Sequence, residues 1–355
     1  MTRLLHALRR AGPLVLAAAT VLTLSAPARA ESTVWSRAAD PASFTRGVLL
    51  AKVDALINEY VHLLDTPTAF RRSQVLGRAR RMLERADAAN SDDVTVRLRL
   101  AKVCYLLYDV EGDEDRLDQA IAHYQWALRS AELPTLTKAR ILNNLAIALA
   151  RLARHEEEVA HYHEAIELDP DPANQAVLRA NQAEGFMAQG QILEAIRGYR
   201  AALAATPIAM VNRGHSVTTI WGLAVALDRS GDNNGALEHV GQARSYDPFD
   251  RLLQSSTWFF VPPYDEDWYV ALGHWQRARS NELSEDERLD AYDSAITSWR
   301  SYMNRAPMDD HWLSLAAVRL RACEQERERA RDRFARSQRE RAGRPAPRKD
   351  LQWPE

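Results

Sequence analysis

Residues 183–207 read AEGFMAQGQILEAIRGYRAALAATP, the middle row of a stretch that repeats from Ala139 to Pro248. In this row Ala183, Phe186 and Gly190 are followed by Ala195, Tyr199, Ala202 and Pro207. The row before it has Leu145, Ala146 and Leu149, then Glu158, Tyr162, Ala165 and Pro170. The row after it has Leu223, Ala224, Leu227 and Gly231, then Ala236, Val240, Ala243 and Pro248. In each row a small residue is followed twelve places on by a second motif, which continues at plus four, plus three and plus five. The period is 37 residues and then 41. Fixed internal spacing at such a period marks stacked helical hairpins.

The residue types follow from packing. Small residues such as Ala146, Ala183 and Ala224 let paired helices approach closely, and Leu149, Phe186, Tyr162 and Tyr199 fill the groove between them. Gly190 and Gly231 stand where a helix end favours the left-handed conformation. Pro170, Pro207 and Pro248 stop the second helix, because proline lacks the helical N–H. Leu223-Ala224-x2-Leu227, together with Ala195-x3-Tyr199-x2-Ala202 and Pro207, resembles the tetratricopeptide repeat pattern. The resemblance implies an all-α fold, a right-handed superhelical solenoid of antiparallel helix pairs. A charged helix would cap its C-terminal end.

Outward from the repeat, Phe44–Leu64 carries a helical apolar stripe, and a second helix reaches about Ala88 with Ala79, Leu83 and Ala86 in repeat spacing. Thr66-Pro67 separates the two. Val94–Tyr108 and the motif Ala120, Tyr124, Ala127 form the next pair, around a turn at Glu111-Gly112-Asp113. Glu158 departs from the pattern, since the other rows have alanine there. A carboxylate in a close helix contact must reach water or find a partner, so this unit is expected to pack less tightly. Residues 249–267 interrupt the array with Trp258, Phe259, Phe260 and Tyr264 around two prolines. Two readings fit: a connector packed over the edge of the array, or an exposed docking patch. The spacing resumes with Ala295, Trp299, Tyr302 and Pro307, where Tyr302 replaces the final alanine and requires a wider or differently filled contact.

A last helix follows Asp309-Asp310. Within it, residues 319–341 hold nine arginines and five acids. Ala316, Leu320, Cys323, Ala330 and Phe334 make a thin seam broken by Arg327. This reads either as a solvated cap held by Glu–Arg pairs one turn apart or as a basic arm. The expected organisation is therefore a signal at 1–30, a loose arm at 31–43, the array at 44–307, the charged helix at 308–342 and a tail at 343–355.

The start of the chain reads as a cleavable export signal of a bacterial protein. Arg3, Arg9 and Arg10 precede an apolar run at 13–24, and Ala28-Arg29-Ala30 is a small-x-small cleavage site. The run is shorter than the roughly 20 residues a membrane-spanning helix needs. Periplasmic or secreted residence is expected, by the general or the twin-arginine route. The first 30 residues hold four arginines and no acid, so the chain beyond them has a net charge of −6. That balance argues against a general nucleic-acid binder. Cys104 and Cys323 both fall on apolar helical faces and read as small core residues, not a bridge.

Chemistry leaves no local signature. There is no Gly-rich phosphate loop, no GxSxG and no HExxH. His161 and His163 lie two apart on a helix and point to different sides, so they do not share a metal. No cofactor and no metal are expected, and no enzyme, although a site built from distant residues would leave no such trace. The resemblance instead implies a concave face lined by first helices, where a protein or peptide lies. Carried over by position, that face includes Arg140, Asn143, Asn144, Ile147, Asn181, Glu184 and Trp221. Asn144 and Asn181 suit it because an amide both gives and takes a backbone hydrogen bond. The chain has four lysines, and only Lys138 borders this face, so the lysine-rich carboxylate clamp of the family is not reproduced. The leading reading is a non-catalytic interaction scaffold in the envelope. The alternative is a structural spacer that self-associates through the aromatic stretch or the charged helix.

Overall fold

The turns carry the residues that stop one helix and start the next. Asp93, Asp113, Asp171 and Asp232 each accept hydrogen bonds from free backbone N–H groups of the first helical turn. Ser284 and Glu287 do the same reciprocally. Gly190 and Gly231 have φ of 73° and 99°, the left-handed cap that the repeat register predicts.

In a computed structural model of the chain these signals delimit thirteen α-helices and one 3-10 turn among the described residues. The structure describes residues 41–342 except 65–67, 131–132, 206–212 and 255–258. The expected signal, most of the arm, Thr66-Pro67, Pro207, Trp258 and the tail lie outside the described residues. The helices are α1 (Pro41–His62), α2 (Ala69–Ala89), α3 (Val94–Glu111), α4 (Glu114–Leu128), α5 (Thr135–Arg151), α6 (His155–Leu168) and α7 (Pro172–Ala188). They continue as α8 (Ile192–Ala205), α9 (Arg213–Arg229), α10 (Asn233–Tyr246), α11 (Glu266–Arg279), α12 (Glu285–Arg305) and α13 (Leu313–Ala342). The first helix thus starts inside the segment expected to be a loose arm. No strand occurs among the described residues.

From α1 to α8 each helix packs on the one before and the one after it, and α10 to α13 do the same. Such nearest-neighbour packing is that of stacked hairpins. The described residues form two compact units, one up to Ser216 and one from Val217 on.

In the first unit Ala79, Ala120, Ala146, Ala165, Ala183 and Ala195 are all fully buried, as their place between helices demands. Tyr162 and Tyr199 fill the space beside them. Glu158 is only 3% exposed. It takes a partner, its Oε2 lying 2.8 Å from His155 Nδ1. Across from it stands Gly185, where an added Cβ would sit 2.8 Å from Val159 Cγ2 and 3.1 Å from Glu158 Cδ. The expectation of looser packing is therefore corrected: a glycine on α7 makes room for the carboxylate, and α6 and α7 stay close.

In the second unit Trp268 is fully buried. It meets Trp299 and Tyr302 edge-on, with ring centroids 4.9 and 5.0 Å away. Tyr302 thus fills the contact that alanine makes elsewhere. Asp228 is 0% exposed. It accepts from Trp268 Nε1 at 3.1 Å and Asn233 Nδ2 at 2.9 Å. Arg319 of α13 pairs with it at 2.8 Å and also donates to its backbone carbonyl at 3.1 Å. Beside it, Arg229 donates to Asp265 at 2.9 Å and lies between the faces of Trp268 and Trp312. Burial raises the pKa of both carboxyls, against the pull of Arg319 on Asp228 and of Arg229 on Asp265. The solvated-cap reading is corrected for the first half of α13, which buries an arginine. Glu326 adds a second tie, accepting from Trp275 Nε1 at 3.0 Å, Tyr292 Oη at 3.1 Å and Arg279 Nε at 2.9 Å. Cys104 and Cys323 are free and buried.

Candidate functional site

The predicted face divides on inspection. On α5, Arg140, Asn143 and Ile147 are half-buried and fall on one side, because three- and four-residue steps return to the same helical face. Ile147 packs on the cluster of Leu142, Ala146, Tyr162, Ala165, Ile166 and Leu178. Asn144 is 9% exposed, so it belongs to the wall and not to its surface. It accepts a hydrogen bond from Asn143 Nδ2 at 3.4 Å. The Oδ1 of Asn143 is enclosed and has no donor among the described residues.

On α7, Asn181 and Glu184 are half-buried. Asn181 hydrogen-bonds the Tyr162 hydroxyl, whose pKa burial raises well above its ordinary value. Arg140 and Glu184 also have partners. Trp221 is corrected outright. It is 0% exposed, with its ring 6.4 Å from Tyr269. Every residue from Val217 to Arg229 is buried, so this part of α9 has no open face to offer.

The aromatic stretch also resolves where it is described. Phe260 packs edge-on against Tyr269 at 5.0 Å, and Tyr264 against Tyr302 at 5.5 Å. The Tyr264 hydroxyl donates to Asp310 at 2.9 Å. Phe259 is half-buried. Phe260 and Tyr264 thus pack as parts of a connector, and the docking-patch reading is corrected for these two.

Sequence reasoning missed a cluster on the first helices of the N-terminal unit. Arg151 at the end of α5 donates to Asp109 at 3.1 Å and to the Tyr105 hydroxyl at 3.4 Å. Its guanidinium stands 5.8 Å from the Tyr108 ring centroid. Burial pushes the Tyr105 hydroxyl up to about 12. Tyr105 and Tyr108 lie in a unit outside the three matching rows, so no register pointed to them. The α3–α5–α7 side of the unit thus gathers hydroxyls, amides, the guanidinium groups of Arg140 and Arg151, and carboxylates, a set suited to hydrogen bonding.

No protein-family model matches the sequence, and no curated protein matches it. Among solved structures, the chain is similar to a crystal structure of MamA at 18% identity and a TM-score of 0.40, over 53% of this chain and 98% of that one. It is similar to YrrB, described as a TPR protein with an unusual peptide-binding site, at 18% identity and a TM-score of 0.37, over 53% and 89%. A tetratricopeptide repeat protein from Parabacteroides merdae gives 13% identity and a TM-score of 0.42, over 77% and 99%. Over its described residues the chain is all-helical, with consecutively packed helix pairs, and the solved structures it resembles include tetratricopeptide repeat proteins.

Proposed function

We propose that this chain is a non-catalytic interaction scaffold that holds an extended segment of a partner protein along the α3–α5–α7 side of its N-terminal unit. The observation that carries the reading is Asn143. Its Oδ1 is shut from solvent and has no donor among the described residues. An enclosed acceptor without a donor costs about 1–3 kcal/mol. A turn of the half-buried Asn143 side chain brings this oxygen to the surface, where a backbone N–H of an extended peptide supplies the missing donor, and Arg140 and Ile147 on the same side give it a charged and an apolar neighbour. Export to the cell envelope is part of the proposal. It is supported by the basic start, the apolar run at 13–24 and Ala28-Arg29-Ala30, and a mature chain beginning at Glu31 is its expected sign.

The test is retention of the chain on an array of immobilised short peptides, with Asn143→Leu as the comparison. The reading expects a subset of peptides to be bound, and bound about tenfold more weakly by the variant, the equivalent of one hydrogen bond to an enclosed group. Equal retention of the variant, or no retention of any peptide, overturns it.

A further inference from the structure

The charge of this chain is divided by position. Residues 31–318 sum to −11, whereas residues 327–341 hold seven arginines and three acids. The structure gives each sign a face. In the first half of α13 the arginines at 319 and 327 are matched by Asp228 and Asp293. Further along, Arg329, Arg333, Arg336 and Arg339 are exposed. Among the described residues Arg336 reaches only the backbone carbonyl of Asp332, and of the arginines beside them Arg331 pairs, with Glu328. Arg329, Arg333 and Arg336 fall at steps of four and three, so they share one side of the helix, with Arg339 next to it. Asp332 flanks this stripe and Glu340 closes it.

The opposite sign concentrates on α6. Residues 155–178 contain seven acids and no lysine or arginine. Glu158 and Asp169 are buried, and Glu157 pairs with Arg154. Glu156, Glu164 and Glu167 remain exposed, without an ion pair among the described residues. By helical geometry these three also share one side. At about 1.5 Å of rise per residue the acidic stripe runs about 16 Å and the arginine stripe about 15 Å.

We propose that the arginine stripe of α13 docks on the acidic stripe of α6 in a second copy of this chain, head to tail. Charge complementarity selects that occupant. A body of −11 is repelled by any polyanion that the arginines would otherwise seek, whereas another copy offers an acidic surface of matching length. The two stripes are different surfaces, so the contact is heterologous and each copy keeps one free end for the next. Exposed ion pairs are individually weak and are screened by salt, so the assembly is reversible and salt-sensitive.

The test is sedimentation velocity of the full chain over a concentration series at low and at high salt. Two charge-reversed variants are run alongside: Arg329→Glu/Arg333→Glu/Arg336→Glu and Glu156→Lys/Glu164→Lys/Glu167→Lys. All six positions are exposed, and circular dichroism checks that both variants fold. The wild type is expected to associate at low salt and to dissociate at high salt. Neither variant is expected to associate with itself, and an equimolar mixture of the two is expected to associate again at low salt, because the intact arginine stripe of the second variant then meets the intact acidic stripe of the first. Added to wild type, each variant should join the assembly through its one intact stripe and cap that end, so that the mean size falls. Association that persists in both variants, or a wild type that stays monomeric at every concentration, overturns the proposal. If the wild type stays monomeric yet binds phosphatidylserine vesicles through the three arginines, the stripe serves a membrane and the proposal falls.

Discussion

Glu158 costs the N-terminal unit something that its alanine counterparts do not. Its carboxyl is enclosed between His155 and the α6–α7 contact, and burial raises its pKa above the ordinary value of 4.5. A raised carboxyl holds its proton longer in the folded chain than in the unfolded one. Stability therefore falls as pH climbs from about 4.5 through the folded-state value and levels off above it. Glu158→Gln keeps a polar contact to His155 and removes the titration. Melting temperatures across that window should decline for the wild type and show less decline for the variant. Gly185 is the other half of the arrangement. Gly185→Ala places a methyl group against Val159 and Glu158, and overpacking of this kind costs about 1–3 kcal/mol. Urea unfolding should show the loss, and a variant as stable as wild type would mean that α6 and α7 separate freely.

At the level of the element, α13 is the helix whose role changed most between sequence and structure. Its arginines read as a solvated charge run, and beyond Arg327 that description holds. Arg319 is different, because it is 9% exposed and pairs with a carboxylate that has no exposure. Removing one partner of a buried pair strands the other, at about 3–5 kcal/mol. Arg319→Met should therefore lower the urea midpoint strongly, and adding Asp228→Asn should recover part of the loss, since the stranded charge is gone while an amide remains for Trp268 and Asn233. Two independent, additive losses would count against the pair. The seam of small residues was legible: Ala316, Cys323 and Ala330 are each 0% exposed at seven-residue steps. The ion pair was not, because Arg319 and Asp228 are 91 residues apart in sequence and no periodic pattern links them.

For the molecule as a whole, stacked helices share stability mainly with their neighbours. A chain ended after Pro307 loses α13, and with it the partner of Asp228 and the carboxylate that gathers Trp275, Tyr292 and Arg279. Amide exchange should quicken in α9 beyond Val217, in α11 and in α12, and should stay unchanged in α3 to α7. Exchange that quickens evenly along the chain would show a single cooperative block in place of neighbour-by-neighbour stability.

The amino-acid sequence by itself determined the helices, their caps and their pairing. Those are local matters: a small residue at a fixed step, a left-handed glycine after Gln189 or Ser230, and an aspartate one place before a helix each act within a turn or two. Only the tertiary structure decided which polar and aromatic side chains vanish inside. Asn144 and Trp221 occupy positions that a repeat register places on an open face, and both are buried, because burial depends on what the rest of the fold lays over a helix and not on the period of that helix. The same holds for Asp228 and Arg319, whose opposite charges meet only after the intervening helices have packed.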